Sequence, residues 1–206
     1  MKDPVAVRPA RPDDAPLAAA VIHLAMGAFG DYLFGPDARQ AEIALMRLFS
    51  ADAGRFGYSR ASVVEKNRQA LGLMLAFPGA EMESLTWPLV RSLPRAFGWG
   101  VFGFVSRALA FIHAREAEAD EFYVSVIGVL PAAQGQGLGK HLLLHAEGQA
   151  RALGLSKVSL IVSLENHAAQ RLYKRNGFEI VSTWHDKNPL ASYHRMVKLL
   201  QPPTEH

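Results

Sequence analysis

Short runs of apolar residues alternate along the chain with stretches that have the apolar spacing of helices. In the first half this pattern predicts a strand at 5–8, a helix that ends near residue 26, a loop at 27–36, a helix at 37–49 and two hairpin strands at 59–65 and 69–77. In the second half it predicts a strand at 121–130, a helix at 137–153, a strand at 157–164, a helix at 167–176 and strands at 178–184 and 192–199. This order of elements is typical of an α/β protein in which helices flank one sheet.

The stretch 81–118 separates the two halves and has helical character, although Pro88 and Pro94 interrupt it. We interpret it as a helical insert within a single domain that extends over residues 1–200. A short tail, 201–206, follows this domain.

Part of the insert, from Leu93 to Ala114, is apolar enough to suggest contact with a membrane. Arg95 and Arg107 interrupt it, so the uncharged span of about 18 residues that a membrane helix needs is lacking. An apolar face packed on the core is the first interpretation, and a role at a membrane surface is the alternative.

The composition narrows the possible functions. The 22 Lys and Arg residues only slightly outnumber the 19 Asp and Glu residues and form no long basic block, so a nucleic-acid partner is not indicated. The chain has no cysteine, which excludes disulfides, thiolate metal sites and cysteine nucleophiles. The stretch from Met1 to Ala10 carries charges and two prolines where a signal peptide would be apolar, which predicts a cytoplasmic protein without stable membrane insertion.

The strongest candidate site is the loop Gln134-Gly135-Gln136-Gly137-Leu138-Gly139-Lys140, which connects a predicted strand to a predicted helix. Glycines allow the backbone to approach a phosphate, and the first amides of a helix have no partner within it, so this loop is a candidate anion site. A P-loop is excluded because Gln134 and His141 occupy positions that require Gly and Ser or Thr. A dinucleotide fingerprint is excluded because Gly139 follows Gly137 by two residues instead of three.

The spacing Gln-x-x-Gly-x-Gly of this loop resembles the acetyl-CoA signature of the GNAT superfamily of N-acetyltransferases. Two flanking stretches are also similar to the family pattern, namely Val126-Ile-Gly-Val-Leu-Pro131 and Asn166-His-Ala-Ala-Gln-Arg-Leu-Tyr173-Lys-Arg-Asn-Gly-Phe178. The resemblance covers residues 121–184, and the N-terminal half is similar only in the order of its elements. It implies a mixed, mostly antiparallel sheet of six to seven strands that is flanked by helices and splayed between strands 4 and 5.

The resemblance also implies how the cosubstrate acetyl-CoA is bound. The amides of the loop 134–140 would hold the pyrophosphate, and the pantetheine would lie beside a bulged strand 4 like an extra strand. The backbone N–H of Ile127 would polarise the thioester carbonyl, an effect typically worth about 3 kcal/mol per donor, and Val129 would pair with the pantetheine. Asn166 matches a family contact to the cofactor and also suits a helix cap. Tyr173 matches the family tyrosine that protonates the departing thiolate, with an ordinary core tyrosine as the alternative.

The base that takes the proton of the attacking amine is not evident in the sequence. In the family's ribosomal-protein and peptide N-terminal branches a Glu stands twelve residues before the tyrosine, but here that position is Ile161, which disfavours a peptide N-terminus as substrate. In other branches the base stands at positions that match Tyr123 and Ser125, neither of which is a natural base. Glu121 is the nearest carboxylate on that strand face and is the catalytic candidate. A solvated charge at Glu121, with proton transfer to water instead, is the alternative.

Histidines offer weaker candidates. His141 and His145 lie one helical turn apart but have no evident third ligand, so no metal is expected. His185 and His194, near the closing strands, are secondary candidates for a base.

These features lead to the hypothesis that the protein, as a monomer or homodimer, transfers an acetyl group from acetyl-CoA to a primary amine by direct attack in a ternary complex. The long insert before strand 4 is similar in layout to the puromycin acetyltransferase branch, which favours a small-molecule acceptor. A protein or peptide amine is the second acceptor class. A non-catalytic acyl-CoA sensor that uses the same loop is the alternative from another functional class.

Overall fold

Residues 4–109 and 116–201 are described by the computed structural model, and they form a seven-stranded sheet with helices on both faces. The strands are β1 (Val5–Pro9), β2 (Ala61–Lys66), β3 (Gln69–Pro78), β4 (Phe122–Val129), β5 (Lys157–Ser163), β6 (Glu179–Trp184) and β7 (Tyr193–Leu199). The helices are α1 (Ala15–Phe34), α2 (Ala38–Ser50), α3 (Thr86–Phe97), α4 (Val101–Ala108), α5 (Leu138–Ala152) and α6 (His167–Arg175). Residues 110–115 of the predicted insert and 202–206 of the predicted tail lie outside the described residues.

The strand order is β1-β2-β3-β4-β5-β7-β6. Within the described residues β4 and β5 pair in parallel, and every other neighbouring pair is antiparallel. The predicted fold class, a mixed and mostly antiparallel sheet flanked by helices, is therefore confirmed.

The central strands are buried on both faces. Val63 and Leu73 belong to the apolar cluster beneath α1 and α2, whereas their neighbours Val64 and Met74 belong to the cluster beneath α5. Successive strand residues point to opposite faces, so a sheet covered on both sides requires continuous apolar runs. This explains why β2 and β3 lack a clear polar alternation.

Helix α1 is longer than the sequence pattern predicts. It breaks at Gly27, where φ is 51° and ψ is −139°, but it resumes and ends only at Phe34. The predicted loop at 27–36 is thus wrong over most of its length. The reason is tertiary, because Phe34 is buried and its ring packs against Phe56 and Phe104, with centroid distances of 6.1 and 5.6 Å. By length and apolar composition alone, Pro12–Phe34 would also be long enough to cross a membrane.

The insert contains the two helices α3 and α4. Their inner faces are anchored to the core by Leu93, Ala96 and Phe104, all of which are buried in the cluster that contains Phe34. The rings of Phe97 and Phe104 stack with centroids 4.6 Å apart and so join the two helices. The insert therefore packs on the α1 side of the sheet.

The sheet opens between β4 and β5. These strands pair only from Phe122↔Val158 to Val124↔Leu160, although β4 extends to Val129. At the same point the β3–β4 register shifts so that Ser125 is an extra residue, a β-bulge. The predicted splay and the predicted bulge are both confirmed.

Candidate active site

A cleft lies at the point where β4 and β5 separate. It has a volume of about 70 Å³, and it is lined by Ala25, Met26, Val124, Ser125, Val126, Ile127, Leu160, Ile161 and Tyr173. Helix α1, both separated strands and helix α6 therefore meet there. The lining residues include Ile127, Ile161 and Tyr173, which the sequence singled out.

The open edge of β4 presents backbone groups to this cleft. The amide of Leu130 donates to the carbonyl of Leu71 on β3 at 2.8 Å. Because amides point to alternate sides along a strand, those of Ile127 and Val129 point away from β3, toward the side that β5 has left. The carbonyl of Val129 accepts from the side-chain Nε2 of Gln134 at 3.1 Å, which ties this edge to the glycine loop.

Close packing of α1 on β4 brings the helix to the cleft. A Cβ atom at Gly128 would lie 2.9 Å from Cγ1 of Val21, so a residue with a side chain would push α1 away from the strand. Gly128 thereby allows Ala25 and Met26 of α1 to line the cleft.

The glycine loop has the shape of an anion cradle. Gly137 is the N-cap of α5 in the left-handed conformation, with φ 80°, and no described atom lies within 4 Å of the Cβ it lacks. The amides of Gly137, Leu138 and Gly139 have no backbone acceptor within the described residues. Free amides at a helix N-terminus attract negative charge, so this space suits a phosphate group.

The rest of the loop lies around this cradle. Gln134, Gly135, Gln136 and Lys140 are exposed, and the side-chain oxygen of Gln136 accepts from Nζ of Lys66 at 2.9 Å. A Cβ at Gly139 would lie 3.5 Å from Leu172, the neighbour of Tyr173. The structure thus brings the loop, the open edge of β4 and α6 together, as the resemblance implied.

Tyr173 is buried in helix α6, with 7% of its surface exposed, and it packs against Phe178 at a ring-centroid distance of 6.0 Å. Tyr173 lines the cleft, and its hydroxyl has no hydrogen-bond partner among the described residues. Burial raises the pKa of Tyr173 to about 12, so the phenol keeps its proton at neutral pH.

Asn166 forms the N-cap of α6. Its side-chain oxygen accepts from the amide of Ala169 at 3.0 Å, as the sequence indicated for a helix cap. A contact between Asn166 and the cofactor remains a prediction.

The surroundings of Glu121 contradict one of its two sequence interpretations. The residue is 2% exposed, and its carboxylate is ion-paired with Arg195 of β7 and accepts from the amide of Glu118 at 3.0 Å. It is therefore not a solvated charge. It also precedes the segment in which β4 still pairs with β5, and it lies three positions before Val124, the first β4 residue of the cleft lining, or about 10 Å at the rise of a strand. Glu121 is not among the residues that line the cleft, and its carboxylate is bound by Arg195, so its role as the base stays a prediction.

A network next to the bulge was not foreseen from the sequence. Arg55 donates to both carboxylate oxygens of Glu116, at 3.1 and 2.5 Å, and its Nη2 also donates to Oγ of Ser125 at 3.0 Å. The hydroxyl of Tyr123 donates to the same carboxylate at 2.6 Å. Tyr123 and Ser125, the two strand positions noted above, thus belong to one hydrogen-bonded group. No local pattern could reveal it, because Arg55 and Glu116 are 61 residues apart.

The surroundings of Glu116 and Tyr123 determine the protonation state of each side chain in this network. Burial raises the pKa of Glu116, but the charge and hydrogen bonds of Arg55 and the hydroxyl of Tyr123 outweigh it and hold that pKa below its usual value. Burial and the nearby carboxylate raise the pKa of Tyr123 well above 10. Glu116 is therefore an anion and Tyr123 a neutral donor at neutral pH.

The histidines do not gather around the cleft. No group of three or more His, Asp or Glu in the described ranges could hold a metal ion. Nδ1 of His194 contacts Oγ1 of Thr183 at 2.8 Å, and burial together with the charges of Lys174 and His185 lowers its pKa. His194 pairs in register with Val162 of β5, which is outside the cleft lining.

A larger cavity of about 390 Å³ lies beside the break in α1. Its lining includes His23, Gly27, Asp31 and Glu42, together with Leu130 at the end of β4. Nε2 of His23 contacts Oδ1 of Asp31 at 2.8 Å across the break. This acidic cavity adjoins the turn of α1 that lines the cleft, because Gly27 directly follows Met26.

The splayed sheet, the bulge and the glycine cradle together define a class of proteins. The sequence profile of the acetyltransferase (GNAT) family matches residues 74–178, which are 105 of the 206 residues and include β4, the loop and α6. The chain belongs to this family.

Individual relatives can also be identified. Mycothiol acetyltransferase of Rhodococcus erythropolis is 31% identical over 136 residues, which are 64% of this chain and 39% of that protein. Mycothiol acetyltransferase of Streptosporangium roseum is 51% identical over 55 residues, or 27% of this chain and 16% of that protein. The chain thus matches about two fifths or less of the length of these relatives.

Solved structures share the fold over nearly the whole chain. An N-acetyltransferase from Staphylococcus aureus Mu50 has a TM-score of 0.69 at 19% identity, covering 93% of this chain and 99% of that one. A structure described as an acetyltransferase has a TM-score of 0.64 at 24% identity, covering 95% of this chain and 100% of that one. At these identities the similarity establishes the fold alone.

Proposed function

We propose that this protein transfers an acetyl group from acetyl-CoA to the primary amine of a small molecule, by direct attack in a ternary complex. The observation that carries the proposal is the continuity between the open edge of β4 and the glycine cradle. The amides of Ile127 and Val129 point away from β3, and Gln134 connects Val129 to the loop, where the amides of Gly137, Leu138 and Gly139 have no backbone acceptor within the described residues. An extended molecule with a phosphate group at one end fits this arrangement.

The thioester would lie in the cleft with its carbonyl oxygen near the amide of Ile127. As the amine nitrogen bonds to the carbonyl carbon, negative charge develops on that oxygen, and an oriented amide stabilises it without reorganisation. The carbon–sulfur bond then breaks, and the acetyl group stays on the amine while the sulfur leaves as thiolate. The side chain of residue 127 has no chemical role in this step.

Tyr173 supports the leaving group. Its hydroxyl has no described partner and is available to the sulfur. With a pKa of about 12 it is a weaker acid than an ordinary thiol, whose pKa is about 8.5. We therefore assign it as a hydrogen-bond donor that stabilises the developing thiolate, with full proton transfer following from water.

The proton of the amine would leave through water. The described lining of the cleft contains no carboxylate and no imidazole, and Glu121 is held elsewhere by Arg195. Only the neutral fraction of the amine would then react, so the rate should rise with pH toward the pKa of the acceptor.

Four features favour a small-molecule acceptor. Ile161 lines the cleft where peptide-directed members of the family have a glutamate, and the adjoining cavity of about 390 Å³ is within the range of small-ligand sites. The carboxylates of Asp31 and Glu42 in that cavity would attract an ammonium group. The curated relatives, moreover, have a name that refers to acetylation of mycothiol.

The test combines calorimetry with turnover. Acetyl-CoA binding is measured first, and release of the free CoA thiol is then followed with a panel of polyamines, aminosugars, amino acids and peptides with free N-termini. We expect saturable turnover with at least one small amine and none with the peptides. Acetyl-CoA binding without turnover on any amine would instead favour the sensor, and turnover on peptides alone would favour the second acceptor class.

A further inference from the structure

The insert has an outward face that packs on nothing in the described structure. On α3 the inner residues Leu93 and Ala96 are buried, whereas Trp87 near the start of the helix is 69% exposed. Beyond the helix, Trp99 is 90% exposed, and on α4 Phe102 is 71% exposed. Large aromatic side chains are costly to hold in water, and a cluster of them marks a surface that something else covers.

The spacing of these residues places them on the outer side of each helix, and we call these two outer sides and the turn between them the insert face. Trp87 and Val90 share the outer side of α3, while Phe102, Val105 and Leu109 recur on the outer side of α4 at intervals of three and four residues. Trp99 lies in the turn between the two helices. The inner side is already occupied, because Phe104 and Phe97 stack within the core cluster.

Charge distinguishes between the possible occupants of the insert face. From residue 84 to 115 the sequence has four arginines and no Asp or Glu. Arg91 and Arg95 are exposed and follow Trp87 at intervals of four residues, so they lie on the same side of α3. Arg107, by contrast, is turned inward and donates to the carbonyl of Leu33 at 3.0 Å.

A second copy of the chain does not suit this face. A two-fold interface places the same patch on both sides, so Arg91 and Arg95 of each copy would meet basic residues without any acidic partner from the insert face. The insert face needs negative charge opposite its arginines and an apolar environment for its aromatic side chains. An anionic lipid surface supplies both, since its headgroups carry negative charge and its boundary with the acyl chains takes up tryptophan and phenylalanine.

We propose that the insert face docks on the surface of a membrane that contains anionic lipids, with Trp99 and Phe102 entering the headgroup boundary and Arg91 and Arg95 contacting the lipid phosphates. The docking is peripheral, because α3 and α4 have only 12 and 8 residues and neither could span a bilayer. It is independent of the acetyl-transfer proposal.

The test uses the full chain and vesicles of phosphatidylcholine with or without phosphatidylglycerol. Trp184→Phe removes the remaining tryptophan, so that the fluorescence reports only on Trp87 and Trp99. We expect a blue shift and co-sedimentation with the anionic vesicles, both weakened by salt. Arg91→Gln and Arg95→Gln should each weaken partitioning about fivefold. Trp99→Ser with Phe102→Ser should abolish it.

Leu199→Ser is the matched control, because Leu199 is 72% exposed but lies on β7, away from the insert. It should leave vesicle binding unchanged, and all variants should keep the wild-type circular dichroism and acetyl-CoA affinity. Absence of binding to either vesicle, or equal binding to both, would overturn the proposal. So would a concentration-dependent dimer that the Trp99→Ser/Phe102→Ser variant abolishes without any vesicle binding in the wild type.

Discussion

The hydroxyl of Tyr123 donates to Oε2 of Glu116 at 2.6 Å and so joins strand β4 to the C-terminal end of the insert. Arg55 completes the link, because it binds the same carboxylate and also reaches Oγ of the bulge residue Ser125. The bulge sets which residues of β4 face the cleft, including Ile127. The network therefore stabilises the strand geometry on which the proposed chemistry depends.

The first prediction concerns the ion pair in this network. Glu116→Gln leaves the Arg55 guanidinium without its counter-charge in a half-buried site, and we expect the free energy of unfolding to fall by about 2 kcal/mol. Urea denaturation measures it. The double variant Arg55→Gln/Glu116→Gln should cost less than the sum of the two single variants, and strict additivity would show that the two residues are not coupled.

Lowering the pH should weaken the stabilisation that the Arg55–Glu116 ion pair provides. The folded-state pKa of Glu116 lies below its usual 4.5, so its contribution to stability is full above that value and is lost as pH falls through the folded pKa. The difference in unfolding free energy between wild type and Glu116→Gln should thus shrink as pH is lowered from about 6 to about 3. Asp14, whose pKa Arg8 lowers, responds to acid in the same direction, but it is common to both proteins and cancels. A difference that stays constant with pH would contradict the assignment.

Tyr173→Phe tests the leaving-group assignment. The change removes only a hydroxyl that has no described hydrogen-bond partner, so stability and acetyl-CoA affinity should change little. We expect kcat to fall about a hundredfold, because the developing thiolate loses its donor. Tyr58→Phe, which alters a half-buried tyrosine packed on Phe49 in the core beneath α2, is the matched control and should keep full activity. An unchanged kcat for Tyr173→Phe would refute the role.

The glycine cradle can be probed at Gly137. A valine there would have to adopt a left-handed conformation at a cost of about 1–2 kcal/mol, and its side chain would enter the space assigned to a phosphate. Calorimetry should show acetyl-CoA affinity reduced at least about tenfold, equivalent to about 1.4 kcal/mol. Gly148→Ala, in the middle of α5 with open space around its Cβ position, should leave affinity unchanged. If the valine variant is folded and binds normally, the loop does not hold the cofactor.

Removing the negative charges of the acidic cavity beside α1 should weaken binding of a cationic acceptor but not of acetyl-CoA. Asp31→Asn with Glu42→Gln removes two charges from its lining. We expect KM for a cationic amine to rise severalfold while KM for acetyl-CoA is unaffected, and the effect should diminish at high salt. An equal rise in both KM values would point to a general structural defect.

Much of the site was determined by local sequence. Gly137 was predicted in a loop between a strand and a helix and Asn166 as a helix cap, and in the structure Gly137 is the N-cap of α5 and Asn166 the N-cap of α6. Such features depend on the conformational preferences of a few adjacent residues, so sequence patterns can reveal them. The splay and the bulge of β4 followed from the family resemblance and are also observed.

Tertiary structure alone decided the rest. Glu121 lies at the start of a strand, where a solvated carboxylate is one expectation, but Arg195, 74 residues away, pairs with it. Helix α1 continues past Gly27 because Phe34 packs in a buried aromatic cluster. The link from Arg55 to Glu116 spans 61 residues. Ion pairing and burial of this kind depend on which distant segments the folded sheet and its helices bring together, and these energies outweigh the local preferences that a sequence pattern expresses.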